Sequence, residues 1–378
     1  METRKKSFLV KYEGNSSDLN SSEALLALVS LNDKMALRYL PVIIYIFLLM
    51  FTGIIGNLLV CFVYINAKTR TSACYFILTL ALLDLLNCII GMPNEIVDLR
   101  YPYMFYSSIA CKVLRTIEYI STVGSTVVLL AVAVDRYNRI CNLGKHMSSE
   151  KARKVCIAAI VIGVLTAWPV PILGGLSKVD VNIDYAKAVD CSIDENMRET
   201  IYPPILYGLL GIYFVCCIIF FGIAYTRIIV FVKKRKAITR QLSSSFRQEE
   251  QATEENKNKM KLLSENHTPN NSQKSESSNG SVTHKPKNKH RIKVTRTTVI
   301  LGVVTLIFII GYLPYLVIMT LRTIETDFEE KLTSEADIAI KFGAKSYLIN
   351  NAINPIIYCF LNKKFREDVK KVFRKCCR

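Results

Sequence analysis

Seven apolar runs, each long enough to cross a bilayer, constrain this 378-residue chain more than any other feature of its sequence. A helix needs about 20 mostly apolar residues to span the hydrocarbon core, and in lipid every backbone polar group must be satisfied inside the protein. We therefore predict an all-α membrane protein, a bundle of seven transmembrane helices over residues 41–361. The runs cover about 41–66, 72–98, 111–137, 153–176, 201–232, 294–321 and 341–361.

The formal net charge of +18 is distributed unevenly among the connecting segments. Lys and Arg outnumber acids in 138–154 and 362–378, whereas 178–199 holds six acids against three bases and 322–345 holds six against four. Because basic residues collect in cytosolic loops, we expect a multi-pass plasma-membrane protein with its N-terminus outside the cell and its C-terminus inside. Because the positive charge follows the alternation of basic and acidic connecting segments along the chain, no nucleic acid is expected as a partner.

Three segments outside the apolar runs carry their own signals. Residues 1–40 form the predicted extracellular N-terminal segment, in which Asn15 and Asn20 are glycosylation acceptors. A stretch at about 233–293 is rich in charged and polar residues, and such composition predicts a disordered cytosolic loop. Residues 362–378 predict an amphipathic helix and tail, with Cys376 and Cys377 as acylation sites.

Two cysteines fall on the predicted outer side of the membrane. Cys111 opens the third run, and Cys191 lies in the loop before the fifth. Because both face an oxidising compartment, we predict a disulfide between them, which would hold that loop over the mouth of the bundle. In the same loop, Lys178–Tyr185 nearly alternates polar and apolar residues, and this pattern predicts one strand of a hairpin.

Ionisable residues within apolar runs are expected to be functional, because burying them in lipid is costly. Asp84 lies mid-run, with Ser125, Asn350 and Asn354 at a similar depth; either these oxygens hold a sodium ion or Asp84 is protonated and hydrogen-bonded. Glu118 lies in the outer half of the third run, where it either pairs with a nearby Lys or Arg or contacts a ligand.

The inner end of the third run carries Asp135-Arg136-Tyr137, and the seventh run ends in Asn354-Pro355-Ile356-Ile357-Tyr358. An Asp beside an Arg can hold it in a local ion pair and release it, which makes a switch. Proline kinks a helix and frees a carbonyl, so the second motif predicts a flexible polar joint.

With Gly56-Asn57, Leu80 through Asp84, and Phe308 through Pro314, these motifs resemble those of the rhodopsin-like (class A) G-protein-coupled receptors. The resemblance implies that Arg136 binds a G protein, that Tyr225 and Tyr358 stabilise the open form, and that Phe308 and Tyr312 transmit ligand binding past the Pro314 kink. It also implies an inhibitory sodium pocket at Asp84, with no other cofactor, and arrestin and receptor kinases as partners.

The sequence departs from the family pattern at the sixth run, where Tyr312 replaces the usual Trp, and at the fifth, where Cys217 replaces a proline. Neither change affects the predicted fold.

A neuropeptide-type ligand is favoured, and the acid-rich outer loops would attract a basic one. The alternatives are a biogenic amine paired with Glu118 or, less favoured, a channel or transporter. No nucleophile–base set or metal-ligand spacing indicates an enzyme. The expected ligand pocket consists of Glu118, Tyr312, Tyr315, Arg322 and Lys345.

Overall fold

The computed structural model describes residues 21–67, 70–142, 147–181, 183, 186–265, 296–324 and 332–376. In these residues the chain is almost entirely helical, with one short β-hairpin. The helices are α1 (Ser21–Arg38), α2 (Leu40–Ile65), α3 (Ser72–Leu86), α4 (Met92–Arg100), α5 (Ser108–Cys141), α6 (Ser149–Thr166), α7 (Pro169–Leu173), α8 (Tyr202–Glu265), α9 (Arg296–Ile324), α10 (Ser334–Ala344), α11 (Ile349–Leu361) and α12 (Lys363–Cys376), and the strands are β1 (Gly174–Lys178) and β2 (Val189–Ile193).

Among the described residues, six helical stretches are long and apolar enough to cross a membrane. In order, these spans are α2, α3 with α4, α5, α6 with α7, α8 and α9. The second span contains a π-helical turn, Asn87–Gly91, just before Pro93. The seventh span is α10 and α11 joined by a 3₁₀ turn, Ser346–Leu348, and this break keeps it from being one long helix. The predicted all-α seven-helix fold is confirmed, with the last span in two pieces.

The third span, α5, lies at the centre of the bundle and packs against the second, fourth, fifth and sixth spans. The first and seventh spans approach closely where Gly56 faces Pro355, because a Cβ on Gly56 would lie 2.6 Å from the proline ring. In lipid the hydrophobic effect does not drive helices together, so they associate by close packing, and small residues let their backbones approach. The Gly56-Asn57 pair therefore serves helix packing at the kink of the seventh span.

The disulfide between Cys111 and Cys191 forms as predicted and joins the start of α5 to β2. Strands β1 and β2 pair antiparallel, with Leu176 opposite Cys191. The predicted strand at Lys178–Tyr185 is wrong, because pairing ends at Lys178 and the described residues after it connect the two strands. A single alternating segment cannot reveal which partner it would pair with or where the pairing ends.

Helix α1 precedes the first span and packs on the outer side of the bundle. Asn32 is buried; its Nδ2 donates to the carbonyl of Arg100 at 3.2 Å, and its Oδ1 accepts from the backbone N–H of Tyr103 at 3.3 Å. Two residues after Tyr103, the backbone N–H of Phe105 donates to the carbonyl of Val189 in β2 at 3.1 Å. One hydrogen-bonded layer thus joins α1, the loop at 101–107 and β2.

The fifth span continues as helix without interruption to Glu265. This differs from the disordered loop predicted at about 233–293, of which residues 266–293 lie outside the described residues. Residues 233–265 are rich in Lys, Arg, Gln and Glu, whose high helix propensity outweighs the lack of an apolar face.

The amphipathic helix predicted after the seventh span is α12, which follows directly from it. Phe365 is buried, with its ring 6.0 Å from that of Tyr64 and 6.3 Å from that of Tyr358. Cys376 ends this helix, and Cys377 lies outside the described residues, as do Asn15 and Asn20. Acylation and glycosylation at these four positions stay predictions.

Candidate functional site

The outer half of the bundle holds six polar residues in contact, which we call the outer polar cluster: Glu95, Asp98, Arg115, Glu118, Lys345 and Tyr347. They come from the second, third and seventh spans. Glu95 and Asp98 are three residues apart on α4, and Arg115 and Glu118 are three apart on α5, a spacing that places each pair on one helix face. The 3₁₀ turn at the seventh span brings Lys345 and Tyr347 to the same place.

Arg115 is the centre of this cluster. Its Nη1 lies 2.6 Å from Glu95 Oε1 and 3.5 Å from Glu118 Oε2, and its Nη2 lies 3.4 Å from Asp98 Oδ2. Lys345 pairs with the other oxygen of Glu95, which is fully buried. The cluster therefore ties three spans together through partly buried ion pairs around the fully buried Glu95.

Glu118 has protein partners on both carboxylate oxygens. The hydroxyl of Tyr347 donates to Oε1, and the guanidinium of Arg115 lies beside Oε2. The alternative of a local ion pair is therefore realised with Arg115, whereas Lys112, another candidate, lies 3.8 Å from Asp194 in the loop before the fifth span.

Aromatic rings connect the outer polar cluster to the centre of the bundle. The ring of Tyr347 lies 5.0 Å from that of Tyr315 and 5.6 Å from that of Tyr312, which in turn lies 4.6 Å from Phe308. The Tyr312 hydroxyl donates to Thr122 Oγ1 at 3.2 Å. These rings form a continuous packed path from the outer polar cluster to the middle of the third and sixth spans.

Below these rings lies a small mid-membrane cavity of about 20 Å³, lined by Asp84, Ser125, Asn350 and Asn354 among others. Asp84 is buried, and its Oδ2 accepts from Asn354 Nδ2 at 2.8 Å. A cavity of this size has room for about one water molecule. The four residues expected to share a depth in the membrane do meet around one space.

At the inner end of α5, Asp135 and Arg136 form a buried ion pair. Asp135 Oδ1 also accepts from Ser72 Oγ at 3.4 Å and from the backbone N–H of Met147 at 3.3 Å. Arg139 lies 3.9 Å from the same carboxylate. The carboxylate therefore holds Arg136 and fastens it to the second span and to the segment before α6.

The tyrosines expected to stabilise an open form have different surroundings. Tyr225 has its hydroxyl 3.0 Å from Thr305 Oγ1 on the sixth span. Tyr358 is buried, and its hydroxyl has no hydrogen-bond partner among the residues that the structure describes. Neither contacts Arg136 through a hydrogen bond in the described residues.

The remaining predicted residues fall on the expected helices. Asn354 and Pro355 are buried in α11, Pro314 lies in the outer half of α9, and Tyr137 is half-buried beside Arg136. Arg322 is half-buried near the outer end of α9.

Of the predicted ligand pocket, Glu118 and Lys345 join the outer polar cluster, and the rings of Tyr312 and Tyr315 pack against the ring of Tyr347. Glu95, Asp98 and Tyr347 were missed by the sequence reasoning. Two acids three residues apart at the end of the second apolar run were the available signal.

Taken with the seven spans and the disulfide, these features define a seven-transmembrane receptor. The chain matches the sequence model of the 7 transmembrane receptor (rhodopsin family) over residues 56–358, and it belongs to this family. The resemblance to rhodopsin-like receptors is confirmed, and the family consists of receptors rather than enzymes.

Within this family, the chain is similar to receptors for a peptide hormone. The chain is 26% identical over 352 residues to the thyrotropin-releasing hormone receptors of Ovis aries and Bos taurus, an alignment that covers 90% of this chain and 79% of each relative. It is 24% identical over 344 residues to the receptor of that name from Gallus gallus, covering 89% and 78%. Neuropeptide receptors are thus among its relatives.

Proposed function

We propose that this protein is a neuropeptide receptor of the plasma membrane that converts extracellular ligand binding into activation of a heterotrimeric G protein. Membership of the rhodopsin family supports the signalling class, and relatives named for a peptide hormone support the ligand class. The ligand would bind among the outer rings and the outer polar cluster, and the cytosolic side would open around Arg136.

The engagement of Glu118 is the observation that carries the peptide assignment. An amine receptor needs a carboxylate whose charge is left for the ligand ammonium, whereas both oxygens of Glu118 already have partners, Tyr347 and Arg115. Displacing these partners would leave Arg115 to be compensated by Glu95 and Asp98 alone. A larger ligand that contacts several groups of the pocket fits this arrangement better than a single ammonium.

A basic peptide remains the favoured ligand because acids surround the entrance. Asp194 and Glu195, however, also hold the hairpin: Asp194 pairs with Lys112, and Glu195 accepts from the backbone N–H of Lys178 at 2.9 Å. Exposed Glu199 is therefore the cleaner probe of attraction at a distance. If the charge attracts the ligand, Glu199→Gln should slow peptide association, and more so at low salt.

On the cytosolic side, the closed ion pair of Asp135 and Arg136 supports a switch that releases Arg136 to the G protein. We also propose arrestin and receptor kinases as partners, because Ser243, Ser244 and Ser245 lie exposed on the cytosolic extension of α8. At the centre, the carboxylate and amide oxygens around the mid-membrane cavity suit a sodium ion held by Asp84, Ser125, Asn350 and Asn354.

The experiment is a screen of a neuropeptide panel in cells, reading calcium and cyclic AMP. Arg136→Ala should abolish the response while surface expression and peptide binding are kept, and exposed Arg153→Ala on α6 should respond as wild type. A response to a biogenic amine that disappears in Glu118→Gln, with no response to any peptide, would make the amine alternative correct. Ionic current or substrate uptake without a G protein would overturn the receptor assignment.

The amine alternative keeps one favourable observation, the three rings of Tyr312, Tyr315 and Tyr347 near Glu118. Aromatic faces attract ammonium groups. The screen therefore includes amines.

A further inference from the structure

A second cavity lies on the outer half of the bundle, between the second and third spans and under the loop that joins them. Its volume is about 530 Å³, within the range of about 300–1,000 Å³ that holds small ligands. Its lining includes Ile89, Ile90, Val97 and Leu114 from the spans and Met104 from the loop. It shares no lining residue with the mid-membrane cavity, and none of its lining residues belongs to the outer polar cluster.

The cavity opens toward the membrane side of the helices. Ile89 and Val97 are 52% and 42% exposed, and on a spanning helix such exposed apolar residues face lipid. Tyr101 and Tyr106, also exposed, line the end nearest the loop. Tyrosines collect where the membrane meets water, so the cavity runs from that boundary into the hydrocarbon.

Asn94 is the one feature of this lining that apolar packing does not explain. It is only 3% exposed, and neither its side-chain nitrogen nor its oxygen has a hydrogen-bond partner among the described residues. Burying an amide without partners is costly, and in lipid no water compensates. A hydroxyl can accept from the amide nitrogen and donate to the amide oxygen, so it would satisfy both atoms.

The lining also limits the ligand's charge and shape. None of the residues that line the cavity is charged, so nothing there would pair with a phosphate. Asn94 lies six residues before Arg100, the end of the span, which places it about 9 Å inward along the helix. A rigid apolar body also loses less conformational freedom on binding than two flexible acyl chains.

We propose that this cavity binds a sterol-type lipid, neutral and rigid, whose single hydroxyl contacts Asn94 and whose apolar body lies along Ile89 and Ile90. The site is separate from the peptide site. A bound sterol would hold the second span against the third. Glu95, the residue after Asn94, does not line this cavity and instead contacts Arg115 in the outer polar cluster.

The test uses purified, lipid-depleted full-length receptor and a photoreactive cholesterol analogue. Labelling should saturate and map to residues 87–114. Asn94→Leu should weaken binding about tenfold, equivalent to about 1.4 kcal/mol, and Ala110→Trp, which fills the cavity, should remove the labelling. Leu165→Phe, at a residue 68% exposed on α6, is the control for a lipid-facing change elsewhere.

Melting temperature separates a ligand contact from a structural role of Asn94. Cholesterol should raise the melting temperature of wild type and of Leu165→Phe but not of Asn94→Leu, which without sterol should melt no lower than wild type. Labelling that never saturates, or that is equal in wild type and Asn94→Leu, overturns the site. Equal competition by diacylglycerol overturns the sterol assignment. Because no agonist is used, these outcomes do not depend on the proposed signalling function.

Discussion

Glu95 shows how one carboxylate can order the outer half of the bundle. It is fully buried and contacts Arg115 from the third span and Lys345 from the seventh, while the Tyr347 hydroxyl lies 3.4 Å from its Oε1. Without Glu95, Arg115 would keep Asp98 and Glu118, but Lys345 would lose the acid it pairs with, and a largely buried charge left without its partner destabilises far more than an exposed pair ever contributes.

Glu95→Gln should therefore lower the stability of the folded receptor by about 3–5 kcal/mol. The matched control is Glu150→Gln, which removes a carboxylate whose pair with Lys154 is exposed on both sides, at 68% and 71% of side-chain area. Thermal unfolding of both variants in detergent would check this. Equal melting temperatures for Glu95→Gln and Glu150→Gln would show that the outer polar cluster does not hold the spans together.

The residues that sequence reasoning found and missed differ in a physical way. Asp84, Arg136 and Asn354 stand out because polar and charged side chains within an apolar run are costly to bury. Glu95 and Asp98 fall at the edge of the second run, where charged residues also belong for reasons of solvation. A tyrosine in an apolar run is unremarkable in the sequence, and only the 3₁₀ turn shows that the Tyr347 hydroxyl lies beside Glu118.

At the scale of elements, the outer surface is a layer built from three separate segments. Helix α1, the loop at 101–107 and the hairpin are joined by backbone hydrogen bonds and by the side chain of Asn32. The disulfide then fixes this layer to the third span. These contacts connect the three segments to one another and to the third span.

Asn32→Ala should loosen this layer, since it leaves the partly buried carbonyl of Arg100 and the buried N–H of Tyr103 without their partner, at a cost of about 1–3 kcal/mol. Hydrogen exchange should quicken in residues 101–105 and in β2. Ser30→Ala, on the exposed face of the same helix, is the control and should leave exchange unchanged. Unchanged exchange in Asn32→Ala would mean that α1 does not support the loop.

The elements were predictable to the extent that they follow from hydrophobicity. The spans could be predicted because lipid demands that the backbone hydrogen-bond within the helix, and α12 could be predicted because its apolar residues recur at helical spacing. Helix α1 could not, because its apolar stretch Ala24–Val29 is short and its buried face of Leu28, Asn32 and Met35 belongs to a helix that packs against α4 and α2, far along the chain. The predicted strand at Lys178–Tyr185 failed because one alternating segment shows neither its partner nor where the pairing ends.

For the whole molecule, the mid-membrane cavity lies between the outer polar cluster and the ion pair of Asp135 and Arg136. It lies under Tyr312 and includes Asn354 beside the kink of the seventh span. A cation bound there would hold Asp84, Ser125 and Asn350 together and favour the closed bundle.

If sodium binds, the receptor should melt at a higher temperature in sodium chloride than in choline chloride of equal ionic strength. Binding at ten times the Kd adds about 1.4 kcal/mol of stability. Asp84→Asn, which keeps the shape but removes the charge, should abolish the difference. No difference in wild type would favour a protonated Asp84 hydrogen-bonded to Asn354.

The orientation of the molecule is a further prediction, made from charge alone. Antibody to a tag at the N-terminus should stain intact cells, and antibody to a tag at the C-terminus should stain only permeabilised ones. Staining of both tags in intact cells would contradict seven spans as well as the predicted orientation.

The 3₁₀ turn at Ser346–Leu348 also fixes the angular phase between the two pieces of the seventh span. A 3₁₀ turn advances about three residues per revolution and an α-helix 3.6, so Lys345 and Asn354 point inward only for one residue count between them. Deleting a single residue here would rotate the cytosolic piece by roughly 100° against the outer one. The seventh span would keep nearly the same length and hydrophobicity, but Asn354 would no longer point into the bundle when Lys345 does.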